Sequence, residues 1–307
     1  MIILFGKQLK VTLMSIKSLK TPLRYPGGKS KAIKTLSQWY PKIISEYREP
    51  FIGGGSIAID VTKSNPDIPV WINDLYVPLY NFWVQLRDRG EELSERVREE
   101  KQNTLDEGDP DKITASAKEL FNKYKEEIDT YDDFEKAVAF FIMNKCSFSG
   151  LTENSTFSQT ASNANFSLVG ADKLKEFSKL IQHWKITNID YSEVMSAEGS
   201  DDTFVFLDPP YDIKDFLYGK NREMHKSFDH NLFAENVYKC KHNFMITYNV
   251  NHRLMQMYAD YELNFWNLRY SMAHRGEKGT DDNVKQELLI TNYNINPVTP
   301  IEELLTT

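Results

Sequence analysis

The stretch FVFLDPPYD, residues Phe204 to Asp212, runs from apolar residues into an acid, two prolines and an aromatic ring. An apolar strand would deliver Asp208 at its C-terminal end, where Pro209 and Pro210 stiffen the chain and remove two N–H donors. A carboxylate and a fixed carbonyl, that of Pro209, are then neighbouring acceptors. Such a pair suits an exocyclic amine, whose two N–H bonds can point one at each, and the Tyr211 ring can stack on the base that carries the amine.

Two glycine clusters lie upstream. RYPGGKS, residues Arg24 to Ser30, resembles the end of a phosphate loop, but Leu23 stands where that loop needs its first glycine, so nucleotide hydrolysis is disfavoured. EPFIGGGSIAID, residues Glu49 to Asp60, leads a short apolar piece into three glycines and an apolar helix start at Ser56. Glycines let the backbone approach a ligand closely, and a helix start offers N–H groups. Asp74 ends the apolar run VWIND about twenty residues after Gly53, the spacing at which an acid meets a ribose in dinucleotide-binding sheets. Read alone, Asp74 equally suits a helix cap.

These residues need a sheet to hold them. PVWIND, TFVFLD, NFMITYN and QELLITNY read as buried strands. Between Leu79 and Met143 the pattern turns helical, with apolar positions at Phe82, Leu86, Leu93, Val97, Leu120, Phe121 and Tyr124, and TYDD reads as a capping box before FEKAVAFFIMN. Strands, a helical block and strands again describe an α/β fold with an inserted helical module. Cys146 to Leu168, rich in Ser, Thr, Asn and Gly, has loop or hairpin composition.

The 307 residues carry 41% hydrophobic side chains, enough for a core, and no apolar stretch approaches the ~20 residues that span a bilayer, so no membrane is expected. The opening MIILFGKQLKVTLM reads as a short β element or a leader before a start at Met14. Two cysteines, Cys146 and Cys240, fit a reducing compartment and exclude a four-cysteine zinc site. Neither follows a proline, which disfavours cytosine-C5 chemistry with a cysteine nucleophile. The net charge of -7 leaves polyanion binding to a local patch.

LRYPGGKS, EPFIGGGS, NDLY, NKCSFSGL, DPPY, ITYN and ELLITN follow the order and spacing of the Dam-like family of N6-adenine DNA methyltransferases, and the match runs from about Pro22 to Asn292. The resemblance implies a Rossmann-like S-adenosylmethionine-dependent methyltransferase sheet, seven strands and mostly parallel with the last antiparallel, plus a helical target-recognition insertion. Residues 21–80 and 166–295 would form the catalytic domain and 81–165 the insertion, between an N-terminal extension (1–20) and a C-terminal tail (296–307). By resemblance Tyr25 and Lys29 meet the methionine end of the cofactor, with Lys29 the cation for its carboxylate. Glu49, Phe51, Gly53 and Gly55 match the glycine-loop positions, Asp74 the ribose acid, and Asp190 and Tyr191 the segment beside the cofactor's adenine. Asp208, Pro209, Pro210 and Tyr211 match the catalytic motif.

The implied partner is double-stranded DNA with the target adenine flipped out, in the cytoplasm of a bacterial or phage-infected cell. A cognate restriction endonuclease is a further partner the resemblance admits. GATC-methylating members carry a basic, asparagine-containing hairpin after this segment. Here TENSTFSQTASNANFS holds no Lys or Arg, so the resemblance does not extend to GATC reading. Asn154, Gln159, Asn163 and Asn165 still suit adenine edges in the major groove. Phosphate contacts are then expected from Lys145, Lys214, Lys220, Arg222, Lys226, Arg269, Arg275 and Lys278. Amino methylation of cytosine N4 or of RNA, and a catalytically silent DNA-binding module, remain alternatives on the same residues.

Overall fold

A computed structural model describes residues 18–152, 155–211, 228–269 and 284–295. Seven strands form one sheet: β1 (Glu46–Glu49), β2 (Val70–Asn73), β3 (Trp184–Thr187), β4 (Thr203–Leu207), β5 (Asn243–Asn249), β6 (Glu262–Arg269) and β7 (Val284–Thr291). Their order is β3-β2-β1-β4-β5-β7-β6. β3 through β5 are parallel, and β7 runs antiparallel to both neighbours. The four expected strands are present. β4 is buried along its whole length, as a parallel strand covered on both faces must be.

β1, β3 and β6 were not legible as strands. β1 reads Glu-Tyr-Arg-Glu, yet it lies inside the sheet, between β2 and β4, with Arg48 1% exposed. Its polar groups are matched. The Arg48 guanidinium donates to Glu46 Oε1 (2.6 Å) and to the carbonyls of Val194, Ala197 and Glu198, and the Tyr47 hydroxyl donates to Glu49 Oε2 (2.7 Å). Satisfied polar groups can be buried, whereas the same groups unpaired would cost a few kcal/mol each, about 1–3.

The helices of six residues or more among the described residues are α1 (Ser56–Ser64), α2 (Val77–Asp88), α3 (Gly90–Leu105), α4 (Pro110–Glu127), α5 (Asp133–Cys146), α6 (Gln159–Asn165), α7 (Leu168–Ile181), α8 (Tyr191–Ser196), α9 (His230–Lys239) and α10 (His252–Met257). The cap of α5 is Asp132, whose side chain accepts from Glu135 N (2.8 Å). α3 packs tightly on α7: a Cβ at Gly90 would lie 2.2 Å from Ser178 Cβ, and Ser94 Oγ donates to the Ala171 carbonyl. One core therefore runs from the sheet through α2 into α3 and α5. Where a loop or hairpin was expected, Ser147 bridges Phe157 and Ser158 then caps the helix α6, accepting from Ala161 N.

The strand order reverses between β1 and β4. In open α/β sheets ligands bind outside the C-terminal ends of the strands at such a point. Here those ends carry Glu49-Pro50-Phe51 with the glycine cluster, and Asp208.

Candidate active site

β4 ends at Leu207 and hands Asp208 to the crevice. Lys29, 3% exposed on a single 3₁₀ turn, donates to both carboxylate oxygens, at 2.8 Å to Oδ1 and 2.7 Å to Oδ2, and to the Gly27 carbonyl at 2.9 Å. Those bonds use all three ammonium hydrogens. The Lys29 charge faces the Asp208 carboxylate. Thr247, buried in β5, donates its hydroxyl to Asp208 Oδ1 (2.7 Å).

The Tyr211 ring lies under the Lys29 ammonium, 5.1 Å from its centroid, and its hydroxyl donates to Glu287 Oε2 on β7 (3.0 Å). Burial, with Asp208 and Glu287 adding negative charge, holds the phenol well above its ordinary range. Burial likewise pushes the Glu287 carboxyl up to about 7, with Lys29 opposing and Asp208 reinforcing.

Gly53 and Gly55 are left-handed, at φ +48° and +68°. A Cβ on Gly53 would meet the Tyr25 ring at 2.9 Å, and one on Gly55 the Trp83 ring at 2.6 Å, so both positions demand glycine. The two glycine clusters, 25 positions apart in sequence, are thereby pressed together. Gly53 N donates to Asp74 Oδ2 (3.2 Å), and Tyr76 N donates to Oδ1 (3.0 Å). Asp74 closes the turn ahead of α2, whose N-cap is Tyr76, and faces the glycine loop. Burial pushes its carboxyl up to about 7, against the backbone N–H groups that pull it down.

Phe51 packs with Tyr191 (ring centroids 5.4 Å apart), Phe228 (5.8 Å) and Phe233 (5.9 Å), an aromatic group beside the crevice. Asp190 is exposed and caps α8 by accepting from Ser192 N. Glu49 is 3% exposed, and burial, together with the charge of Asp208, holds its carboxyl well above the usual range.

Sequence reasoning missed Asn144. Buried in α5, it accepts from Arg24 N (2.9 Å) and donates to the carbonyls of Arg24 (2.7 Å) and Gly150 (3.0 Å). Arg24 in turn donates to the Ser147 carbonyl. This clasp ties RYPGGK to the segment that precedes α6. Thr247 is a polar residue inside an apolar run, and Asn144 and Glu287 stand at the edge of one.

Lys145 is a correction. Its ammonium donates to the Pro22 carbonyl (2.5 Å) and sits over the Phe141 ring, and burial, with Arg24 adding repulsion, lowers its pKa to about 7, so it does not face phosphate. Gln159 and Asn163 are exposed one turn apart on one face of α6, whereas the Asn165 amide donates back to the Ala161 carbonyl. Asn154, Lys214, Lys220, Arg222, Lys226, Arg275 and Lys278 lie outside the described residues, and of Arg269 only the backbone, in β6, is described.

The sequence pattern of D12 class N6 adenine-specific DNA methyltransferases matches residues 25–272. Among curated proteins, the chain is 25% identical over 204 residues to the Type II methyltransferase M.MjaIII of Methanocaldococcus jannaschii, covering 63% of this chain and 69% of that protein. It is 23% identical over 205 residues to the Type II methyltransferase M1.LlaDCHI of Lactococcus lactis subsp. cremoris, covering 63% and 66%. With the pattern spanning both glycine clusters, the clasp and the Asp208 motif on a seven-stranded sheet with its last strand antiparallel, the chain belongs to the D12 class of N6 adenine-specific DNA methyltransferases.

Proposed function

We propose that the protein methylates N6 of an adenine flipped out of duplex DNA, with S-adenosylmethionine as donor. The carrying observation is the state of Asp208. A carboxylate offers about four acceptor positions. Lys29 takes one on each oxygen and Thr247 one on Oδ1, which leaves Oδ2 with one for an amine N–H. The Pro209 carbonyl takes the other N–H. Both bonds raise electron density on a nitrogen whose lone pair is otherwise drawn into the ring.

The residues present fit the donor. The Tyr25 ring is packed onto Gly53 at the crevice, Asp74 is a carboxylate suited to ribose hydroxyls, and the Phe51 and Tyr191 rings suit a purine face. When bound, the donor supplies an electrophilic methyl on a sulfonium. The chain's part is positioning: Asp208 and Pro209 orient the amine, and Tyr211 fixes the plane of the base. The family assignment and the Type II names of both relatives support a modification role alongside a restriction endonuclease.

Gln159 and Asn163 present two amides one helical turn apart, a spacing that suits neighbouring adenine edges. Incubation of duplex DNA with S-adenosylmethionine, followed by nucleoside analysis and methylation-aware sequencing, tests the reading. N6-methyladenine in one sequence context supports it; N4-methylcytosine, methylated RNA alone, or no product overturns it.

A further inference from the structure

Charge is laid out unevenly along this chain. Residues 1–45 hold nine of its 37 Lys and Arg and none of its 44 Asp and Glu, so a protein of net charge -7 opens on a segment of one sign. A polyanion binds to a local patch of that kind rather than to the total. Only cations that face solvent without a carboxylate of their own are available to it.

Two of the described cations in this segment are already spent, Lys29 on Asp208 and Arg24 on the Ser147 carbonyl. Lys20, Lys31, Lys34 and Lys42 are exposed, and among the described residues none of them forms an ion pair. The helical side of the molecule is different. Arg87, Arg89, Arg96, Arg98 and Lys175, on or between α2, α3 and α7, each meet an Asp or Glu within ion-pair distance.

Position separates the four free lysines. The 3₁₀ turn Lys29–Lys31 leads into the helical turn Ile33–Leu36, and both pack on α1. Lys29 is buried against Asp208, while Lys31 and Lys34, three positions apart, are exposed on the same short stretch. At a rise of about 1.5–2 Å per residue, Lys34 lies no more than about 10 Å along it from Lys29. Lys20 precedes Thr21, whose hydroxyl donates to the Gly54 carbonyl in the glycine loop. Nearby, Lys63 of α1 donates to the Leu19 carbonyl; burial lowers its pKa and the charge of Lys20 adds to that, with Asp60 opposing. Lys42 lies elsewhere. It comes ahead of β1, where Ser45 bonds to Asp202 and Ser200 before β4 begins, at the end of the sheet opposite Asp208.

We propose that Lys20, Lys31 and Lys34 form a phosphate-binding rim of the crevice and hold the backbone of the DNA strand whose adenine reaches Asp208. The inference rests on the adenine-methylation reading above. A flipped adenine stays tied to its strand, so the phosphates on either side of it must leave the crevice across its edge. Lysines on the turn that holds Asp208, and beside the glycine loop, stand where that strand passes. A lysine offers a phosphate a point charge on a flexible stem and reads no base. The rim therefore supplies ionic affinity and leaves sequence choice to other side chains. Each phosphate it neutralises releases a counterion, which makes the contact visible as a salt dependence.

The test is titration of a labelled duplex, without donor, at salt concentrations from about 50 to 200 mM. The proteins are the wild type, Lys20→Gln, Lys31→Gln, Lys34→Gln, the double variant Lys31→Gln with Lys34→Gln, Lys34→Arg and Lys42→Gln. Each of the first three substitutions should lower the slope of log affinity against log salt by about 0.9 and the double variant by about twice that, so the affinity lost across this range shrinks about threefold per lysine. The change should be equal on specific and scrambled duplexes. Lys34→Arg keeps the charge and should keep the slope, and Lys42→Gln, far from the crevice, should keep it too. An unchanged slope in the double variant, or an equal drop in Lys42→Gln, overturns the rim. Failure of the adenine-methylation reading looks different: the wild type then leaves adenine unmodified when donor is added, whatever the slopes.

Discussion

Replacing Lys29 by Met removes the charge and keeps most of the volume. Lys29 is 3% exposed, and the side chain of its partner Asp208 is 20% exposed. Breaking a buried ion pair from one side costs about 3–5 kcal/mol, mainly because the remaining charge is left uncompensated. Here Asp208 keeps the Thr247 hydroxyl and some water, so the expected loss is smaller, about 2–4 kcal/mol. The control is the double variant Lys29→Met with Asp208→Asn, in which no charge is stranded. It should regain much of the loss, with an interaction energy of about 2 kcal/mol. Urea unfolding of the wild type, both single variants and the double variant measures the cycle, with equal slopes required so that midpoints report stability alone. A Lys29→Met protein within about 0.5 kcal/mol of the wild type, or single losses that simply add, would refute the account of Lys29 as the counter-ion that holds Asp208.

Three further outcomes follow from the site. Asp208→Asn should abolish methyl transfer while sparing donor binding, since it removes the charged acceptor for the reacting amine; turnover within a few-fold of wild type would count against it. Asp74 is a carboxyl raised to about 7, so donor affinity should rise as pH increases through that value and the group becomes a charged acceptor. Because its folded value lies above the unfolded one of about 3.9, this same group should make the donor-free protein less stable as pH rises from about 4 to 7. Calorimetry and unfolding across that range should find both slopes reduced in Asp74→Asn. Gln159→Ala and Asn163→Ala should each cost about 1–3 kcal/mol on the preferred duplex and leave the salt dependence of nonspecific binding unchanged, as paired titrations of specific and scrambled DNA will show.

The residues nearest the chemistry were the most legible. Asp208 follows five buried positions in a row, a pattern that survives any sheet order, and the glycines precede an apolar helix start. The Ser- and Asn-rich segment before α7 was legible in composition but not in shape. Ser, Thr and Asn favour turns and caps through the same local hydrogen bonds, so a loop and a Ser-capped helix look alike until Ser158 is seen accepting from Ala161 N. β1 was hidden for the opposite reason. Its sequence looks like a solvated stretch, and the carbonyls of Val194, Ala197 and Glu198, at and just past the end of α8, make Arg48 acceptable inside a sheet.

By itself the sequence determined the pieces that depend on neighbours within a few positions: the apolar strands, the Asp-Pro-Pro-Tyr terminus, the glycine cluster before a helix and the acid that follows β2. It also carried, through ordered motifs, the family to which the chain belongs. Tertiary structure alone decided who pairs with whom. Lys29 reaches Asp208 across 179 positions, Thr247 reaches it across 39, and Tyr211 meets Glu287 across 76. Lys145 points into the protein because the clasp around Asn144 brings Pro22 beside it. Such partners are set by strand order, register and the face each residue occupies. A one-residue slip of β7 would turn Glu287 to the opposite face, although nothing local to that glutamate would have changed.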